Sequence, residues 1–148
     1  MKKASFKKTM LKMLVCSLMM AVIIPIAGTA ANAAGNIQDS RVATRYSGDG
    51  GDITTNAREK DDYTSCYIYN DRSDYHFSFV NVCGTNQSRN VSQYYDCGGN
   101  QDTSVAVGQS KYLINYVRER KYKNALLKVN PGPQRVQWVS FLWSPDSV

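Results

Sequence analysis

Beyond residue 62 the chain alternates between apolar or aromatic and polar positions. Residues 63–69 (Tyr-Thr-Ser-Cys-Tyr-Ile-Tyr) are dense in β-formers. Residues 70–74 (Asn-Asp-Arg-Ser-Asp) have turn chemistry, and residues 75–83 (Tyr-His-Phe-Ser-Phe-Val-Asn-Val-Cys) read as a second strand. Together they predict a hairpin. A loop of two or four residues puts Cys66 and Ile68 on the face shared by Tyr75, Phe77 and Phe79. Tyr67, Tyr69, His76 and Ser78 then point outward, and a shift of one residue would reverse every side chain. Further strands are expected at 90–96, at 103–107 and at 125–129, where the Asn-Pro-Gly-Pro break at 130–133 follows. A helix is expected at 111–120, with Ser110 as its N-cap and Leu113, Ile114 and Val117 as its apolar stripe. The last strand spans 136–143. Trp138 and Leu142 share one of its faces; Val139, Phe141 and Trp143 share the other. Both are apolar, which predicts burial on both sides. The fold class is therefore mainly β, a small two-sheet sandwich-like domain with one short helix.

The chain ahead of these elements has a different texture. Residues 35–62 are polar, with a Gly/Asp run at 48–52, and read as a flexible lead-in holding one short strand at 41–45. The Gly/Asp run matches no calcium-loop spacing and reads as a turn. Lys2, Lys3, Lys7, Lys8 and Lys12 precede an apolar run from 13 to 27, and small residues ending in Ala31-Asn32-Ala33 follow. That order is a secretory signal peptide, expected to be cleaved after Ala33. The organisation read from the sequence is thus a signal peptide at 1–33, a lead-in at 34–62 and a β-rich secreted domain at 63–148, with an extracellular location.

Charge changes meaning once the leader is set aside. The chain has 18 basic and 12 acidic residues, but five of the lysines lie in the leader. The near-neutral remainder removes the charge argument for a nucleic-acid partner. What remains is lopsided: residues 109–148 carry seven basic and two acidic side chains. A basic patch of that kind suits an anionic wall polymer or a membrane surface. Cys66, Cys83 and Cys97 remain after the leader, so at most one internal bridge forms. In the hairpin register Cys83 lies about 20 Å along the strand from Cys66, too far for a disulfide. Cys83–Cys97 and Cys66–Cys97 stay open; the first is favoured because it closes the polar loop 84–96.

No catalytic set stands out. His76 is the only histidine, and the hairpin turns it away from Cys66. It gives no basis for a zinc site of His and Cys ligands, and no cofactor is expected. Asp61, Asp62, Glu59 and Glu119 are the acids available for hydrolysis, without the spacing of a paired acid and base. Aromatics are the richest feature. Outward Tyr67 and Tyr69 form a candidate platform for sugar rings or peptide, because tyrosine joins an apolar face to a polar tip. Arg118, Arg120, Lys121 and Lys123, interleaved with Tyr112, Tyr116 and Tyr122, are the candidate contacts for an anionic polymer.

Three stretches carry a resemblance. They are Ala-Arg-Glu-Lys-Asp-Asp-Tyr-Thr-Ser at 57–65 leading into Tyr67-Ile68-Tyr69, Asn-Tyr-Val-Arg-Glu-Arg-Lys-Tyr at 115–122 followed by Ala125-Leu126, and Trp-Ser-Pro-Asp-Ser at 143–147. In this order they resemble an uncharacterised family of small secreted proteins of Gram-positive bacteria. The resemblance implies a small β-rich fold and cysteines flanking the third strand, in keeping with Cys83–Cys97; it implies no activity. The expected function is a secreted, non-catalytic interaction protein at or near the bacterial envelope. The alternative is a bacteriocin-like antagonist.

Overall fold

Among the described residues nine strands form two antiparallel sheets, and no helix is present. The computed structural model describes residues 35–99 and 103–147. The leader expected at 1–33 lies outside them. One sheet, A, runs in the order β1 (Ser40–Tyr46), β9 (Gln137–Ser144), β4 (Cys66–Tyr69), β7 (Ser110–Leu113). In the other, B, β8 (Asn124–Asn130) is central. β5 (Phe79–Thr85) flanks it on one side, with β6 (Tyr95–Asp96) beyond. On the far side of β8, β2 (Ile53–Thr54) and β3 (Arg58–Glu59) follow one another along the same strand.

Alternation explains which faces meet. Val139, Phe141 and Trp143 of β9 and Cys66 and Ile68 of β4 point inward from sheet A. Val80 and Val82 of β5 and Ala125, Leu127 and Val129 of β8 point inward from sheet B. They join one apolar cluster, in which Phe77 packs edge-on against Phe141 with ring centroids 5.4 Å apart. Burying such side chains is the main stabilising term, about 1.5–3 kcal/mol each.

Between β2 and β3 the ladder is kept closed by a side chain. The Thr55 N–H donates to the Leu127 carbonyl at 2.9 Å, and Thr55 Oγ1 accepts from the Leu127 N–H at 2.9 Å. The hydroxyl oxygen thus stands where a strand carbonyl would be. Thr55→Val keeps the shape but orphans a buried N–H. It should cost about 1–3 kcal/mol in urea unfolding, while Thr55→Ser should restore most of it.

Four expectations need correction. The hairpin is absent: β4 pairs with β7 and β9, whereas β5 pairs with β8 and β6 in the other sheet. Residues 70–74 do not turn back but continue beside β9. There the Asp74 N–H donates to the Trp138 carbonyl at 3.0 Å, and Ser73 Oγ accepts from the Ser140 N–H at 2.9 Å. The helix expected at 111–120 is absent too. Leu113, Asn115 and Val117 are buried while Tyr112, Ile114 and Tyr116 are exposed, a period of two. β9 is not buried throughout on both faces: on the second, Ser140 and Ser144 are buried, but Leu142 is only partly so and Trp138 is 46% exposed. Finally, the polar stretch 34–62 supplies β1, β2 and β3, and β1 pairs with β9 along its whole length.

Candidate ligand-binding site

The outer face of sheet A carries the first pair of residues singled out from the sequence. In β4, Tyr67 and Tyr69 alternate with inward Cys66 and Ile68, so both point away from the core, half-buried. Tyr67 lies opposite Tyr112 of β7, the rings 5.5 Å apart and tilted by 49°. Their groove also takes in Ile37, Asp39 and Ser144. Towards β1 the face becomes polar. Asp71 accepts from Arg41 Nη1 at 2.6 Å and from Ser140 Oγ at 3.0 Å. Burial opposes ionisation of Asp71, yet these bonds outweigh it and hold its carboxyl below the ordinary 3.8. The stabilisation is therefore complete above about pH 4 and is lost as pH falls further. Thermal midpoints followed from pH 5 to pH 2.5 should fall, and fall less steeply in Asp71→Asn.

The basic residues occupy a different place. After Val117 the chain makes a tight turn: the Arg120 N–H donates to the Tyr116 carbonyl at 3.0 Å and the Tyr122 N–H to the Val117 carbonyl at 3.0 Å. Lys121 takes a left-handed φ of 65°, which ends the turn and swings Tyr122 back over sheet B. There Tyr122 stacks on Tyr95 of β6, with centroids 5.5 Å apart and planes 12° from parallel. The approach needs a residue without a side chain beneath it, and Gly84 supplies one: a Cβ there would lie 2.5 Å from the Tyr122 ring.

These tyrosines form one wall of a cleft of about 350 Å³ whose other walls are Thr85, Asn86, Gln87 and Gln93. The basic turn is tied to it at both ends. Arg120 donates from Nη1 to the Asp96 carbonyl, and the Lys123 N–H donates to Asn86 Oδ1 at 3.1 Å. Among the described residues no carboxylate lies within ion-pair distance of Arg118, Arg120, Lys121 or Lys123, and Nε of Arg118 is buried without a partner. The structure thus sets the turn that carries Arg120, Lys121 and Lys123 next to a stacked tyrosine pair, and away from Tyr67 and Tyr69, which belong to the other sheet. Tyr95 and the amides of 86, 87 and 93 were not visible from the sequence. Tyr122 was, through its basic neighbours.

The cysteines correct another expectation. All three are buried free thiols, with no Cys83–Cys97 bridge. Cys83 lies opposite Asp96 in the β5–β6 register, on the face turned from the core, whereas Cys97 belongs to the core cluster. The favoured pair thus sits on opposite faces of one sheet. Burial pushes the Cys66 and Cys83 thiols up to about 12. His76 is exposed, whereas all three thiols are buried.

A second polar cluster has an enclosed ion pair at its centre. Lys60 and Asp146 are both 0% exposed in their side chains, and Lys60 Nζ donates to Asp146 Oδ1 at 2.6 Å and to the Pro145 carbonyl at 2.8 Å. Asp146 Oδ2 accepts from the Asn36 N–H at 2.6 Å and the Asp61 N–H at 3.0 Å. Burial works against the charge on Asp146. The bonds from Lys60, the Asp61 N–H and the Asn36 N–H outweigh it and hold this carboxyl below its usual value. Asp62, one of the acids weighed for hydrolysis, is 3.6 Å from Lys60 Nζ and accepts from Thr64 Oγ1 at 2.6 Å. Asp61, Glu59 and Glu119 are exposed.

A family model described as "Protein of unknown function (DUF2712)" matches residues 29–147, four-fifths of the chain. The chain belongs to the DUF2712 family. The matched span takes in every strand and both polar clusters of this DUF2712 protein. No curated protein and no solved structure matches it.

Proposed function

We propose that this DUF2712 protein is an exported, non-catalytic binding protein of the bacterial envelope that takes an anionic wall polymer in the Tyr95–Tyr122 cleft. The observation that carries the reading is the combination at one place. Two stacked aromatic rings and a row of side-chain amides lie beside Arg120, Lys121 and Lys123, which have no carboxylate partners among the described residues. Aromatic faces suit the apolar faces of sugar rings and amides suit their hydroxyls. The cations suit phosphate or carboxylate groups along the polymer. Export rests on the charged, apolar and small-residue order of positions 1–33.

The leader-free protein incubated with purified Gram-positive cell walls should be retained at low salt and released at high salt, because exposed charge pairs are screened over about 3 Å at 1 M. Failure of retention at low salt, with release of dye from anionic vesicles instead, would favour the bacteriocin-like antagonist.

A further inference from the structure

From the enclosed Lys60–Asp146 pair and the Asp62 carboxylate beside it we infer that this protein is a substrate for its own cross-linking: Lys60 and Asp146 condense to an intramolecular amide. The geometry is that of a reacting pair. Nζ rests 2.6 Å from Oδ1, so the amine and the carboxyl group are held against each other with no diffusive search left to make. Both side chains are fully buried, so bulk water neither competes for the carboxyl group nor stabilises the separated charges. A buried ion pair is a weak source of stability, because desolvation offsets the attraction. Condensation removes both charges from the interior.

The two oxygens of Asp146 are already distinguished. Oδ2 is held by the backbone N–H groups of Asn36 and Asp61 at 2.6 and 3.0 Å, whereas Oδ1 faces the Lys60 ammonium and takes only a long contact from the Asp62 N–H at 3.4 Å. The two Oδ2 donors stabilise the ionised carboxylate at rest, and they also hold the negative charge that develops on Oδ2 when Nζ adds to Cγ. Oδ1 is the oxygen that leaves. The Asp62 carboxylate, 3.6 Å from Nζ and fixed by Thr64, is the proton carrier between them.

The balance is complete without a co-reactant. One proton passes from the Lys60 ammonium to the Asp146 carboxylate, leaving a neutral amine and a neutral acid. The amine lone pair forms the C–N bond. A second proton leaves nitrogen through Asp62 and reaches Oδ1, the C–Oδ1 bond breaks, and one water departs. The product is a secondary amide, and Asp62 is a carboxylate again. Asp62 is partly exposed and marks the side on which water can leave. The reaction is needed once per molecule and so tolerates a slow rate. Its consequence is a covalent tie between the segment after β3 and the segment after β9, 86 positions apart.

The test is the intact mass of the purified full chain under denaturing conditions, with its N-terminus determined on the same sample. The expected mass is lower than the sequence value by one water, about 18 Da. A tryptic map should then show one branched peptide joining Lys60 to Asp146, with no cleavage after Lys60. Asp62→Asn, checked for folding by circular dichroism, should form the bond at least about 100-fold more slowly, the usual reach of a positioned acid–base group. Full mass and no branched peptide after prolonged incubation of the folded chain would overturn the proposal. So would a loss of water that persists in Lys60→Arg, or an unchanged rate in Asp62→Asn. The proposal is independent of the binding cleft and can fail without it.

Discussion

Lys60→Met should lower stability by about 3–5 kcal/mol in urea unfolding, the largest effect expected of any charged residue here. The reason is the enclosure of its partner. Asp146 has no exposure to water, and without the ammonium it keeps backbone donors but loses its one ion-pair partner among the described residues. Methionine fills the volume of the lysine stem, so the loss reports the stranded carboxylate, together with the missing Lys60–Asp146 bond where it has formed, rather than a cavity. Asp146→Asn in the same chain removes the stranded charge while leaving an oxygen for the Asn36 and Asp61 N–H groups. The double variant should therefore be more stable than Lys60→Met alone, a sign that a packing defect would not give. A loss below 1 kcal/mol in the single variant would contradict the enclosed pair.

Tyr95→Ala should weaken retention on purified walls about 10–30-fold, the loss of one anchoring aromatic side chain. Tyr95 is the better partner of the stack to remove, because it is 54% exposed whereas Tyr122 also packs against the core cluster. Its loss should leave the unfolding midpoint unchanged. Replacing Arg120, Lys121 and Lys123 together with serine should act differently, removing the salt dependence along with most of the affinity. Tyr67→Ala, on the other sheet, should leave retention as it is. Loss of retention in Tyr67→Ala with none in Tyr95→Ala would move the site to the outer face of sheet A.

The positions of most strands were legible because Val, Ile, Phe and Tyr cluster where strands run. Their partners were not. The residues after Tyr69 have every feature of a turn, yet Ser73 and Asp74 bond to β9, some 65 residues onward, and no local pattern records that. The helix was misread at one position. Leu113, Ile114 and Val117 have helical spacing, but the buried row is Leu113, Asn115, Val117, and the polar Asn115 hid the alternation. It is tolerated inside because its amide donates to the Thr64 and Leu113 carbonyls, each at 3.2 Å.

The same logic applies to the sites. The basic run at 118–123 was plain in the sequence, and Tyr122 came with it. Tyr95 was invisible as its partner, since the stack exists only where β6 and the turn meet over Gly84. Nothing in the sequence sets Lys60 apart from the other charged residues. Its burial depends on Asp146, far along the chain, and on the backbone donors of Asn36 and Asp61.

The most direct measurement is an amide-proton NMR titration of the leader-free, isotope-labelled protein with a soluble anionic wall polymer at low salt. Saturable shifts confined to residues 85–97 and 117–124, reversed by salt, are expected. Shifts centred on Tyr67, Tyr69 and Tyr112, or a spectrum unchanged at millimolar polymer, would contradict binding in the Tyr95–Tyr122 cleft.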